Sequence, residues 1–308
     1  MYAKILRSNI LLLLTALIWG FAFVAQRASM VYVGPFTFNA FRFALGGLSL
    51  VPLVFVIERQ RQSDALLPVP SGARSVFPTA GLVGLVLFLG ATFQQVGVAS
   101  TTAGKAGFIT GLYVIFVPLL GLLWKQRTAS RTWGGAILAV VGLYLLSVTE
   151  DFTIAPGDLL VLIGAFFWAG HVHLIARFSA RIGPVKLACL QFFVCSMLSF
   201  IAAFLTETIS WQGISGAMWP ILYGGFMSVG IAYTLQVVGQ RDAHPAHAAI
   251  ILSLESVFAL IGGMLILQET FSVRGMVGCS LMLAGMLFSQ LSGTERRPAI
   301  SEAEASPL

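Results

Sequence analysis

Ten apolar stretches, each near twenty residues long and set apart by short polar, glycine- or proline-containing breaks, dominate this sequence. They run over 9–29, 35–57, 77–99, 104–124, 130–149, 156–178, 184–206, 216–240, 245–267 and 272–292. A helix needs about 20 predominantly apolar residues to cross the hydrocarbon core of a bilayer. Only charged residues at 25% or so would cover a soluble domain of this size, and here they make up 10% of the chain while 57% is hydrophobic. The pattern therefore predicts an all-α polytopic membrane protein with ten transmembrane helices, and its partner is the lipid bilayer.

The net charge of +6 and the pI near 9.5 would suggest nucleic acid in a soluble protein. The 18 Lys and Arg residues lie between the apolar runs and form no patch, so no nucleic-acid partner is expected. Cytoplasmic loops collect Lys and Arg. With both termini inside, 14 basic residues fall in the cytoplasm and three (Arg27, Lys105 and Arg274) outside, with Arg42 left within a span. Both termini are accordingly expected in the cytoplasm. The stretch from Glu58 to Ser75 is the one sizeable loop, and 293–308 reads as a disordered cytoplasmic tail. Cys189, Cys195 and Cys279 all fall in apolar runs without metal-ligand or redox spacing, so neither a disulfide framework nor a metal site is implied.

Lys4 and Arg7 before an apolar run also fit a cleavable signal peptide over 1–26. An internal repeat argues against removal. Leu17-Ile18-Trp19-Gly20-Phe21-Ala22 in span 1 returns as Phe166-Phe167-Trp168-Ala169-Gly170-His171 in span 6, and each is followed by a proline opening the next span. Trp19 to Trp168 and Pro35 to Pro184 are both 149 apart; Phe93 and Tyr233 match at 140, and Gly135 and Gly142 match Gly278 and Gly285 at 143. Five helices per half is an odd number, so the halves enter the membrane in opposite senses. Residues 1–150 and 151–292 are the expected inverted five-helix repeats, and an inverted repeat places a transporter's substrate site near the midplane between halves.

The sequence resembles the drug/metabolite transporter superfamily, in particular its ten-helix EamA-type members. The resemblance is carried by Trp19-Gly20-Phe21-Ala22-Phe23-Val24, by Pro35 through Phe43, by Pro118, by Leu254-Glu255-Ser256-Val257-Phe258-Ala259 and by Gln268-Glu269-Thr270 with Gly275, Gly278 and Gly285. It covers about Leu11 to Leu291, and the order and spacing of these motifs are more specific than any one of them. It implies an exporter of small metabolites, amino acids or drugs in a bacterial inner membrane, with spans 1, 3, 4, 6, 8 and 9 around a central cavity. Two positions depart from the pattern: Glu255-Ser256 stands where the family often has Glu-Pro, and Lys125-Gln126-Arg127 where the first repeat often has Gly-Glu.

Glu255 falls about eleven residues into span 9, where a lipid-facing carboxylate would cost roughly 2.5–3.5 kcal/mol. It must face the bundle interior. One reading makes it the group that exchanges protons and couples export to proton entry; the other makes it a hydrogen-bonded structural glutamate. Arg42, about seven residues into span 2, keeps its charge. Snorkelling to the outer interface is the favoured reading, and a counter-ion to Glu255 or to a substrate carboxylate is the alternative.

Trp19, Phe23 and Gln26 share one face of span 1, and Trp168, His171, Val172 and Ile175 the corresponding face of span 6. Two tryptophans at repeat-related positions are candidate walls for a planar or hydrophobic solute; packed or lipid-facing aromatics are the plainer alternative. His171 and His173 point about 200° apart on a helix, at 100° per residue, and cannot share a metal ion. His171 is the candidate cavity group. His244 and His247, beside Asp242, read as a solvated turn. Polar candidates for substrate contact are Gln94 and Gln95 in span 3, Thr110 and Tyr113 in span 4, and Tyr233 and Gln236 in span 8, with interhelical hydrogen bonding as the alternative for each. Gly107 and Gly111, and Gly81 through Gly90, read as close-packing positions.

No Gly-x-x-x-x-Gly-Lys-Ser/Thr loop occurs, so no nucleotide cofactor is expected and energy must come from a gradient or the solute. The leading expectation is a secondary active exporter of a small organic solute, an amino acid or a hydrophobic, planar compound, with protons as the candidate coupling ion. An uncoupled facilitator is the alternative. An intramembrane enzyme is the least supported class: Gly225-Phe226-Met227-Ser228-Val229-Gly230 lacks the first glycine of a Gly-x-Ser-x-Gly elbow.

Overall fold

A computed structural model of the chain describes residues 2–64, 73–124, 130–148, 154–241 and 251–290. Among them the architecture is all-α. The helices are α1 (Tyr2–Ser29), α2 (Pro35–Asp64), α3 (Ala73–Val98), α4 (Ala103–Gly111), α5 (Tyr113–Gly121), α6 (Ser130–Ser147), α7 (Pro156–Ile182), α8 (Pro184–Thr206), α9 (Trp211–Gly216), α10 (Met218–Leu222), α11 (Tyr233–Arg241), α12 (Glu255–Ile266) and α13 (Val273–Gln290), with a π-helical segment over Tyr223–Ala232 between α10 and α11. Six stretches are long and apolar enough to cross a membrane, and Trp133–Ser147, Glu255–Ile266 and Val273–Phe288 are shorter apolar helices. The outward faces carry Phe55, Phe204, Leu205, Trp219 and Leu265, each more than 70% exposed. Such a belt is stable only against lipid, and the protein is a multi-pass membrane protein.

The ten expected spans all recur, three of them broken. Span 4 is α4 and α5, interrupted at Leu112, whose N–H turns back to Ile109 O in a tight three-residue step. Span 9 is interrupted at Ser253–Leu254, immediately before Glu255, even though no proline follows the glutamate. Span 8 is the composite of α9, α10, the π segment and α11. In the wide π turn carbonyls swing away from the axis, and α1 takes two of them: Trp19 Nε1 donates to Ser228 O at 3.1 Å and Thr15 Oγ1 to Ala232 O at 3.4 Å. The turn between α7 and α8 follows from sequence alone, with Gly183 at φ 94° ending one helix and Pro184 opening the next.

The packing pairs show how the halves are related. α6 packs on α13, α2 on α8, and α4 on α12; α3 packs on α7 and on α8, α1 on α12 and on span 8, α2 on the π segment, and α7 on α4 and α5. Advancing every span by five returns the same set. On the α6–α13 pair, Gly142 meets Gly278 and Gly285 meets Gly135, and a Cβ at Gly142 would lie 2.6 Å from Gly278 O. As the number rises on one helix it falls on the other, so the two run antiparallel. Exchanging repeat mates swaps one glycine contact for the other. A two-fold axis relating antiparallel helices is perpendicular to them, which places it in the membrane plane, as an inverted repeat requires.

α1 begins on what we term the near face of the bundle and ends on the far face. The far face is tied by carboxylates. Glu207, just after α8, accepts from Phe36 N and Thr37 N at 2.8 Å and from Thr37 Oγ1 at 2.7 Å at the start of α2. Glu269, just after α12, accepts from Ala103 N at 2.6 Å and Gly104 N at 3.1 Å at the start of α4. Gln268, at φ 55°, turns the chain so that Glu269 reaches them. Asp158 accepts from Thr101 and pairs with Lys105 at 3.1 Å, and Arg27 donates to Ala99 O at 2.6 Å. Free helix N-termini carry partial positive charge and unpaired N–H groups, and these acids satisfy both.

Candidate functional site

Three polar clusters meet in the interior between the halves. The first joins spans 1, 3 and 6. Trp168 Nε1 donates to Gln94 Oε1 at 2.7 Å, and Gln94 Nε2 donates to Gln26 Oε1 at 2.7 Å. Gln95 Nε2 donates to Gln26 O at 3.2 Å and its Oε1 is left buried without a partner.

The second cluster joins spans 6, 7 and 8. His171 Nε2 lies 2.7 Å from Gln191 Oε1, and the Trp168 and His171 rings meet edge to face at 5.7 Å. The Tyr233 phenol interacts with the Gln191 side chain and its ring stands edge-on to Phe192 at 5.6 Å. Gln191 thus joins His171 and Tyr233 in the bundle interior.

The third lies where the breaks of spans 4 and 9 oppose one another. Gly111, the last residue of α4, packs so tightly on Ser256 that a Cβ would lie 2.8 Å from its hydroxyl, and Ser256 Oγ donates to Gly107 O at 3.1 Å. This sets Glu255 and Tyr113 side by side, each the first residue of its helix. Glu255 is 5% exposed, and Tyr113 lies within electrostatic reach of it. Among the described residues no hydrogen bond or ion pair reaches the Glu255 carboxyl. Thr110 Oγ1, one turn before the break, is buried and unpartnered.

The remaining expectations divide. Trp19 is half-buried against Leu12 and Leu252, and Phe23 is packed into the core with Phe108 and Ala259; Gln236 is half-buried toward the near face. The expected span 6 face splits: Val172 is exposed and Ile175 packs on Val83 and Leu187, because the helix buries the side carrying Trp168 and His171. His173 reaches Val117 O at 2.8 Å, in the turn before Pro118. His244, His247 and Lys125 through Arg127 lie outside the described residues. Two apolar grooves of about 530 and 520 Å³ open on the outer surface, one along α13 and one between α1, α10, the π segment and α12, and none of the candidate residues named from the sequence lines either. Among the described residues no three His, Cys, Asp or Glu side chains are placed to hold a metal ion.

Arg42 corrects the snorkelling expectation. It is 4% exposed, its Nε has no partner, and no hydrogen bond or ion pair from the described residues reaches its guanidinium. Its Cζ lies 5.3 Å from the Phe38 ring centre and 4.8 Å from that of Phe43. Nor is it the counter-ion of Glu255, which faces Tyr113. Two ring faces return about 0.5–2 kcal/mol each, less than the several kcal/mol that desolvating a charged group costs. Gln191, the hub of the second cluster, carries no sequence signal. Its role arises only when α8 lies beside His171.

Comparisons with known proteins agree with this architecture. The model of the EamA-like transporter family matches the chain twice, over residues 6–148 and 155–291. A protein of Archaeoglobus fulgidus, described as an uncharacterized transporter, is 32% identical over 289 residues that cover 94% of this chain and 87% of that one. A Bacillus subtilis protein described as the uncharacterized transporter YwfM is 25% identical over 96% of this chain and 97% of its own. The chloroplastic WAT1-related protein At3g02690 of Arabidopsis thaliana is 26% identical over 87% of this chain and 66% of its own length. A solved crystal structure with 18% identity superposes on 94% of this chain and 99% of its own with a TM-score of 0.65, a likeness of fold.

Proposed function

Because the chain belongs to the EamA-like transporter family, we propose that it is a secondary active exporter of a small organic metabolite, with residues 1–150 and 151–292 as its two moving repeats. The near face is cytoplasmic in this reading, since the basic residues of the loops gather there, and the membrane is the cell's inner membrane. Solute passes between the repeats, against Trp19, Phe23, Gln26, Gln95, Thr110, Tyr113, Trp168, His171, Tyr233 and Gln236.

The observation that carries the reading is Glu255. A buried carboxyl that no hydrogen bond from the described residues reaches, at a helix break facing the opposing repeat, is an expensive feature in a membrane span and is suited to bind and release a proton as the repeats rock. In each cycle a proton taken up from the outside would be delivered to the cytoplasm through Glu255 while the solute leaves. The Gln26–Gln94–Trp168 chain and the His171–Gln191–Tyr233 cluster supply amide and phenol groups that orient a solute.

The test is counterflow of labelled amino acids and small aromatics in proteoliposomes holding the purified protein, with and without an imposed pH gradient. Saturable exchange stimulated by the gradient in the wild type, and exchange indifferent to it in Glu255→Gln, is the expected result. Gradient-stimulated flux persisting in Glu255→Gln would remove Glu255 as the proton carrier. Saturable wild-type exchange that ignores the gradient would make the protein an uncoupled facilitator.

A further inference from the structure

We propose that Arg42 is the anchor of an oxyanion subsite, and that the transported solute is a small organic monoanion whose carboxylate it binds. The proposal rests on the exporter reading above and names its substrate class. Arg42 sits in the second turn of α2, inside the bundle, between α8 and the start of the π segment. Gly224 of the π segment lies against it: a Cβ there would come to 3.4 Å from Arg42 Cβ and 3.5 Å from its Cδ, ordinary contact distances, and to 3.2 Å from Phe38 Cζ.

Among the described residues, the acids that would otherwise neutralise a buried arginine are engaged elsewhere. Asp158 is held by Thr101 and Lys105, Glu207 by the start of α2, Glu269 by the start of α4, and Glu58 by Lys186 at 3.4 Å. Glu255 faces Tyr113. A guanidinium offers five N–H donors in a planar fork, and an oxyanion is the one ligand that satisfies both its charge and its geometry at once.

The surroundings narrow the class. Cys195 lies within electrostatic reach of the guanidinium and interacts with the Ser199 side chain on α8, and Asn39 Oδ1, one turn earlier on α2, is buried without a partner. All are neutral, so Arg42 brings a single positive charge to this part of the interior, which suits a carboxylate better than a phosphate dianion. The buried Phe38 and Phe43 rings beside the guanidinium make its surroundings apolar, which favours a carboxylate carried on a hydrocarbon or aryl group over a wholly hydrophilic anion.

Binding to the purified, detergent-solubilised full chain tests this without any gradient. Probes are benzoate, phenylacetate and hexanoate, their uncharged amides, and inorganic phosphate, followed by calorimetry and by ligand-dependent thermal stabilisation. The expected result is saturable binding of at least one carboxylate, at least tenfold tighter than its amide and than phosphate. That preference should be lost in Arg42→Gln, weakened at least tenfold in Arg42→Lys, which keeps the charge but not the fork, and retained in Glu255→Gln. If Arg42→Gln does not fold, the lysine variant carries the comparison. Equal binding of acid and amide, binding of no carboxylate, or an unchanged preference in either folded Arg42 variant would overturn the proposal. Carboxylate binding that depends on Arg42 in a protein that shows no flux would instead leave the subsite standing and remove the exporter reading.

Discussion

Replacing Glu207 by glutamine should loosen the far face more than any surface substitution of similar size. Its carboxylate accepts three hydrogen bonds at the start of α2, two from backbone N–H groups at 2.8 Å and one from the Thr37 hydroxyl at 2.7 Å. Bonds to a charged acceptor are worth about 1.5–3 kcal/mol each, against about 0.5–1.5 for neutral pairs. A carboxylate at a helix N-terminus adds about 0.3–1 kcal/mol. Glutamine keeps one acceptor oxygen and turns an NH₂ group toward donors. Taking the low end, because Glu207 is half-buried, the loss should be about 3 kcal/mol. Gly34→Ala should lose a comparable amount, since a Cβ at Gly34 would run into the same carboxylate, and the double variant should lose less than the sum. Unfolding equilibria in mixed micelles with increasing SDS measure both. A change below about 0.5 kcal/mol in Glu207→Gln, or full additivity with Gly34→Ala, would refute the view that this carboxylate fastens α8 to α2.

Three further outcomes follow from the packing. Gly142→Leu or Gly278→Leu should each destabilise by about 1–3 kcal/mol, because a Cβ at either position would lie within 2.7 Å of the other's carbonyl oxygen; the same micelle unfolding reads it. Gln94→Leu leaves Trp168 Nε1 and Gln26 Oε1 without partners and should cost about 1–3 kcal/mol, with a blue-shifted Trp emission in the folded variant as a second readout. Trp19→Ala and Trp168→Ala should change the range of solutes exchanged in proteoliposomes while folded protein is retained; wild-type exchange in both would separate these rings from the transport path.

The spans were legible because each is a local property of the chain. Apolar length, Gly183 before Pro184 and the recurrence of Trp19 at Trp168 are all visible in sequence, and so is the match of Gly135 and Gly142 to Gly278 and Gly285, whereas the packing of Gly142 on Gly278 and of Gly135 on Gly285 is not. What stayed hidden depends on distant partners. Nothing in the sequence separates Glu207 from a loop acid until α8 ends beside the first turn of α2. Gln191 acquires its role only from His171 and Tyr233. Span 8 reads as one uniform apolar run, yet it breaks at Tyr223 because α1 supplies Trp19 and Thr15 to carbonyls that a π turn releases. The interruption of span 9 forms without the proline that usually marks it, since the turn at Ser253–Leu254 is set by close packing of α12 on α4. Arg42 misled for the opposite reason: its place near the start of span 2 favoured snorkelling, whereas the fold buries the side chain beside the Phe38 and Phe43 rings.

Proton movement coupled to solute, measured in proteoliposomes loaded with a pH-sensitive dye, tests the central claim most directly. If Glu255 is the carrier, adding transported solute on one side should drive a proton flux whose rate tracks solute flux in the wild type, and Glu255→Gln should exchange solute with no proton signal. Solute-driven proton flux of wild-type size in Glu255→Gln would contradict the account.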